Sequence, residues 1–97
     1  IVIGPVVLDS NTYTVSRGGA GAELPKKEFE LLYKLLSYPG QIFTRNQLLD
    51  DIWGFDSESG EDTVKTHISR LRNKLRSIEE FRIITIKGLG YKAEVLE

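Results

Sequence analysis

The chain reads as an α+β fold, with short strands at its front, three helices in its middle and a β-hairpin at its end. Three observations carry this reading. "VVLD" and "TYTVSR" are rich in β-branched and aromatic residues and flank a Ser10-Asn11 turn signal. Between residues 25 and 76 the apolar residues recur at helical spacing in three separate stretches. At the end, "RIITI" and "YKAEVL" stand on either side of "KGLG".

At the front, "GGAG" (18–21) marks a second turn leading into "AELP", so three short strands with tight turns predict a small antiparallel sheet. The glycine-rich stretch lacks the Lys-Ser/Thr pair and the following helix that a phosphate-cradling loop needs. The first helix is expected over 25–37, with Phe29, Leu32, Leu35 and Leu36 on its apolar side and Pro25 in its first turn, where a missing N–H costs nothing. Pro39-Gly40 stops it. A second helix is expected over 45–53, opened by a Thr44–Gln47 capping box and ended by Gly54. Asp50 and Asp51 are adjacent, so they point about 100° apart on a helix and do not form a carboxylate pair. Residues 54–62 read as an acidic loop, and 63–76 as the third helix. In the hairpin, Gly88 and Gly90 are expected to supply positive φ.

Composition narrows the function classes. Ninety-seven residues with 40% hydrophobic and 28% charged side chains form one compact domain. Cysteine is absent, which removes disulfides, thiolate metal sites and a thiol nucleophile, and agrees with a reducing cytoplasm. No apolar run approaches a membrane span and nothing resembles a signal peptide. No nucleophile–base pair or cofactor loop is visible, and the lone His67 cannot build a metal site, so neither an enzyme nor a cofactor is expected. The chain opens on Ile1 and already reads as strand, which suggests a fragment of a longer protein.

The charge is concentrated. Residues 63–76, "TVKTHISRLRNKLR", hold five of the 13 Lys and Arg and no acid, in a chain of net charge −1. At about 100° per residue, Val64, Ile68, Leu71 and Leu75 share a narrow stripe, while Thr66, Ser69, Arg70 and Asn73 point away from it. Lys65 and Arg76 lie to one side, and Arg72, Lys74 and His67 flank the stripe. An ordinary solvated face mixes acids with bases to gain i,i+4 pairs. One without acids repels itself mildly, a cost that a polyanion removes. Small Thr and Ser admit a close approach to base edges, and Arg and Lys bind phosphate or guanine. The residues alone leave three readings open: a nucleic-acid surface, a plain surface helix, and a membrane-surface helix disfavoured by a stripe without Trp or Phe. Helix, helix, acidic loop, basic helix and a hairpin with Lys87 and Lys92 near its tip is the order of a helix-turn-helix extended by a β wing. The tip would lie at a minor groove, whose negative potential favours Lys87.

With these elements in order, the sequence resembles the OmpR/PhoB-type winged-helix effector domain of bacterial two-component response regulators. The resemblance covers nearly the whole chain and rests on "LPKKEFELLYKLLSYPGQIFTRNQLLDDIWG", "TVKTHISRLRNKL" and "IITIKGLGYK". It implies one cytoplasmic effector domain over 1–97, with a four-stranded N-terminal sheet, three helices and a C-terminal hairpin packed with a short strand near Phe43-Thr44. It also implies a receiver domain upstream whose phosphorylated Asp controls dimerisation. The partners it implies are a second protomer and double-stranded DNA carrying promoter direct repeats.

Carried over position by position, Lys65, Thr66, His67, Ser69, Arg70, Arg72 and Lys74 stand where the recognition helix 63–76 touches DNA in the major groove. In the wing, 86–91, Lys87 takes the basic position, with Thr85 and Tyr91 in its scaffold. Trp53 matches the Trp closing the second helix and has two readings, core packing or a phosphate contact through its indole N–H. His67 likewise reads as a packing residue or a phosphate donor. The loop 54–62, with Phe55, Asp56, Glu58 and Glu61, lies where family members meet RNA polymerase. Pro25, Asp62, Lys65 and Ser69 depart from the family pattern, so the DNA target does not follow from it.

Overall fold

The structure, a computed structural model, describes residues 1–54 and 60–96, the side chain of Glu61 excepted. Four strands, β1 (Val2–Ile3), β2 (Val6–Asp9), β3 (Thr14–Arg17) and β4 (Ala20–Glu23), form an antiparallel meander in that order. On β2, Val6 and Leu8 turn inward and Val7 outward, and in register with them Val15 of β3 is also buried. β4 begins inside the expected "GGAG" turn, since only Gly18 and Gly19 adopt positive φ there. Its residues Ala20, Gly21, Ala22 and Glu23 have little strand propensity and are all exposed. Pairing with β3 makes it a strand.

The meander turns into its second hairpin through Tyr13, a non-glycine residue at φ 54°. Such a conformation costs about 1–3 kcal/mol. Its ring packs edge-on against Phe29, centroids 5.5 Å apart, and its carbonyl accepts from Leu24 N–H at 2.8 Å, which offsets that cost.

Helix α1 (Lys26–Ser37) buries Phe29, Leu31, Leu32, Leu35 and Leu36. Pro25 is the residue capping this helix, not a member of its first turn as expected, and its carbonyl accepts the first helical bond from Phe29 N–H at 2.9 Å. Strand β5 (Phe43–Thr44) runs directly into α2 (Arg45–Ile52). The expected capping box is present: Thr44 Oγ1 accepts from Gln47 N–H at 3.1 Å, and Gln47 Oε1 from Thr44 N–H at 2.8 Å. Trp53 is the C-cap, and Gly54, at φ 84°, ends the helix as its position suggested.

Helix α3 spans Glu61–Lys74, with Gly60 as its N-cap. The helix expected over 63–76 is therefore two residues early at both ends, and the acidic loop is correspondingly shorter. Glu61 and Asp62 occupy its first turn, where the helix dipole favours acids, so the helix is not free of acidic residues as supposed. Strands β6 (Phe81–Ile86) and β7 (Gly90–Val95) form the terminal hairpin, and β5 joins it to give the sheet order β5-β7-β6.

The hairpin glycines divide the work differently from expectation. Gly88 has φ 75°, in open space, as its turn requires. Gly90 has no positive φ. It pairs with Thr44, and a Cβ on it would stand 2.0 Å from the carbonyl oxygen of Phe43. Glycine is needed there because two backbones touch. The core lies between the meander, the three helices and the inner side of the hairpin. At the far end from α3's first turn, Arg17 of β3 clamps Glu80, just before β6, through two bonds of 2.7 and 3.1 Å.

Candidate nucleic-acid interface

Val64, Ile68 and Leu71 are fully buried and Leu75 half-buried, so the stripe seen in the sequence docks α3 onto α1 and α2. Each full burial contributes about 1.5–3 kcal/mol, whereas an exposed ion pair contributes at most ~1 kcal/mol. The stripe therefore sets the position of α3, and its surface charges are left for other work.

Those charges divide into two groups. Three of the side chains expected at the DNA are tied to other parts of the fold. Lys74 Nζ lies 2.9 Å from Glu28 of α1, whose side chain is buried, the residue being only 2% exposed. Arg72 Nη2 donates to the Ile83 carbonyl at 2.9 Å and to Thr85 Oγ1 at 2.7 Å, joining α3 to β6. His67 meets the ring of Trp53 edge-on, centroids 4.8 Å apart and planes at 80°, and its Nδ1 lies 2.7 Å from the Thr63 carbonyl. These ties run to α1, to the hairpin and to the end of α2, so they fix the tilt and rotation of α3 from three sides.

The second group faces solvent. Lys65, Thr66, Ser69 and Arg70 are all exposed on the outward side of α3. Two residues that the helical spacing turns outward, but that were not expected at the DNA, continue this face. Asn73 and Arg76, whose guanidinium bonds the Asn73 side-chain oxygen, line a shallow groove with Ser69, Arg70 and Arg72. Asn73 lies one turn beyond Ser69, and Arg76 follows just past the end of the helix.

Lys87 is exposed in the turn between β6 and β7, beside Leu89, which is 46% exposed. Thr85 is exposed and stands opposite Tyr91 in the ladder. Tyr91 itself is only 4% exposed and opposes Phe43 on its other side, so its bulk belongs to the core under the wing. Trp53 is half-buried and packs against the core, with its edge contact to His67. Phe55, Asp56, Glu58 and the side chain of Glu61 lie outside the described residues.

Glu28 was not expected to matter. It precedes Leu32 by one helical turn, on the apolar side of α1, and an acid at such a position calls for a cation. Among the described residues no group of His, Cys, Asp or Glu is arranged to hold a metal, and no helix is long and apolar enough to cross a membrane.

Residues 19–93 match the family described as "Transcriptional regulatory protein, C terminal". The heme response regulator HssR of Staphylococcus saprophyticus is 42% identical over 95 residues, which make up 97% of this chain and 42% of that protein. HssR of Staphylococcus aureus is 41% identical over the same shares. The chain thus spans less than half the length of these curated relatives. Among solved structures, the DNA-binding domain of Klebsiella pneumoniae RstA in complex with the RstA box is similar at TM-score 0.81 and 32% identity, over 97% of this chain and 95% of that one. The AdeR DNA-binding domain, in complex with an intercistronic region, gives TM-score 0.82 at 26% identity over 99% of this chain and 100% of that one. The DNA-binding domain of Escherichia coli CadC gives 0.84 at 26%, over 98% and 91%. The chain belongs to the family of C-terminal domains of transcriptional regulatory proteins, as a winged-helix effector domain of the OmpR/PhoB type.

Proposed function

We propose that this chain binds double-stranded DNA with sequence preference, as the effector domain of a two-component response regulator. The observation that carries the reading is the division on α3: the apolar stripe, Lys74, Arg72 and His67 hold the helix, while Lys65, Thr66, Ser69 and Arg70 remain exposed on its outer side. A helix so presented fits a major groove, where Arg70 reads a guanine edge and Ser69 and Thr66 permit close approach. Lys87, at the hairpin tip, takes the adjacent minor groove. The RstA and AdeR domains, solved with DNA, support this reading by their similarity.

In this reading Lys65, Arg70 and Arg76 supply phosphate or base contacts. Thr85 and Tyr91 support the wing, and Trp53 shapes the ledge on which His67 sits. The whole protein adds an N-terminal receiver domain whose phosphorylation pairs two effector domains on direct repeats. The segment with Phe55, Asp56, Glu58 and Glu61 meets RNA polymerase, and reversing the charge of Asp56 and Glu58 lowers activation without changing DNA affinity. Selection of bound duplexes from a random DNA pool tests the central proposal. Recovery of a common motif is the expected result, and no enrichment over the starting pool would contradict it.

A further inference from the structure

We infer that His67 joins the DNA contact only as an imidazolium, so that binding takes up a proton and weakens as pH rises; this rests on the DNA-binding reading above. Nδ1 of His67 lies 2.7 Å from the carbonyl oxygen of Thr63, one turn earlier on α3. A carbonyl oxygen only accepts, so in the neutral ring the proton sits on Nδ1. The other tautomer would set two lone pairs against each other. Trp53 holds the ring edge-on at 4.8 Å, which restricts its turning. Nε2 is therefore the bare nitrogen of the neutral ring. It has no partner among the described residues and is not a fully buried atom. His67 precedes Arg70 by three residues, one turn along α3, and Arg70 is exposed. A bare ring nitrogen repels a phosphate oxygen, whereas a protonated one donates a charge-assisted bond to it.

The charged groups around the ring set the direction of the coupling. On α3, Arg70 and Lys74 follow His67 at three and seven residues, on the same flank, Lys74 being paired with Glu28. From α1, Lys27 Nζ reaches the carbonyl of Ile52, next to Trp53, at 2.6 Å. The last turn of α2 brings Asp50 and Asp51, the latter paired with Lys34 at 3.3 Å. Asp56 and Glu58 lie outside the described residues. Bound DNA adds a negative field that favours a positive charge on the ring. A group favoured in its protonated form by the ligand gives tighter binding at low pH, lost as pH rises through the titration range of the complex. His67 is the only histidine and cysteine is absent, so no other side chain of this chain ordinarily titrates between about pH 6 and 8.

The test measures the dissociation constant of the 97-residue chain for a duplex it has itself selected from a random pool, at fixed ionic strength. From about pH 6 to about pH 8, affinity falls by about five- to tenfold, and His67→Gln, which cannot titrate, removes the slope. The Cε1 proton of His67, followed by NMR, titrates at higher pH with DNA bound than without, a readout that needs no variant. A flat wild-type profile, a slope that survives His67→Gln, or equal midpoints with and without DNA would overturn the inference while leaving DNA binding in place. Absence of saturable binding at every pH would instead remove the DNA-binding reading, and this inference with it.

Discussion

Lys74 on α3 and Glu28 on α1, 46 residues apart, form an ion pair of 2.9 Å in which the carboxylate is buried and the ammonium half-exposed. The pair turns a residue that looks like a DNA contact into a strut for the helix that carries the contacts. Removing the lysine strands a buried carboxylate. Lys74→Ala therefore lowers stability by ~1–3 kcal/mol, less than a fully buried pair would lose because water reaches the lysine. At about 4–8 °C per kcal/mol, calorimetry reads this directly. Lys65→Ala, on the exposed side of the same helix, stays within ~0.5 kcal/mol. Equal losses would show that Glu28 finds another partner.

Arg72 ties α3 to the wing through Ile83 and Thr85. A double-mutant cycle of Arg72→Ala and Thr85→Val gives a coupling of ~0.5–1.5 kcal/mol in denaturant unfolding, since both substitutions break the same bond. Additive effects would mean the two side chains act separately.

The two hairpin glycines respond oppositely to substitution. Gly90→Ala drives a methyl into the Phe43 carbonyl and destabilises the domain by ~3 kcal/mol or more, opening the β5–β7 ladder. Gly88→Asn keeps a residue that tolerates φ 75° in open space, and costs less than ~1 kcal/mol. Thermal melts of the two variants separate these outcomes.

The Arg17–Glu80 clamp gives stability a dependence on acid. The bond from Arg17, and its charge, hold the Glu80 carboxyl below the ordinary carboxylate range, and the same bond raises Arg17 further above neutrality. A carboxyl lowered in the folded state stabilises above its unfolded value, and that stability is lost as pH falls through the folded value. Wild type and Glu80→Gln therefore differ in melting temperature at neutral pH and converge only as pH falls below the ordinary carboxylate range. Arg17 adds nothing in this range, being charged throughout. A gap that persists into acid would point to packing, not charge.

What the sequence disclosed followed the reach of each signal. Val64, Ile68, Leu71 and Leu75 announce the docking stripe because helical periodicity is local, and Thr44 with Gln47 announces a helix start for the same reason. β4 stayed hidden because Ala20, Gly21 and Ala22 have no strand preference of their own. The start of α3 was placed late because Glu61 and Asp62 were read as loop charge, although acids after a glycine suit a first turn. Lys74, Arg72 and Gly90 are set by Glu28, Thr85 and Phe43, partners that spacing along the chain does not name. The basic face was legible; which of its members hold the helix was not.

The measurement that bears most directly on DNA recognition is affinity against salt, for a selected duplex and a scrambled one of equal length. Log affinity is expected to fall linearly with log salt, at roughly −0.9 per phosphate neutralised. Arg70→Ala narrows the gap between the two duplexes by ~1–3 kcal/mol. Affinity indifferent to salt, or equal for the two duplexes in the wild-type chain, would contradict DNA recognition.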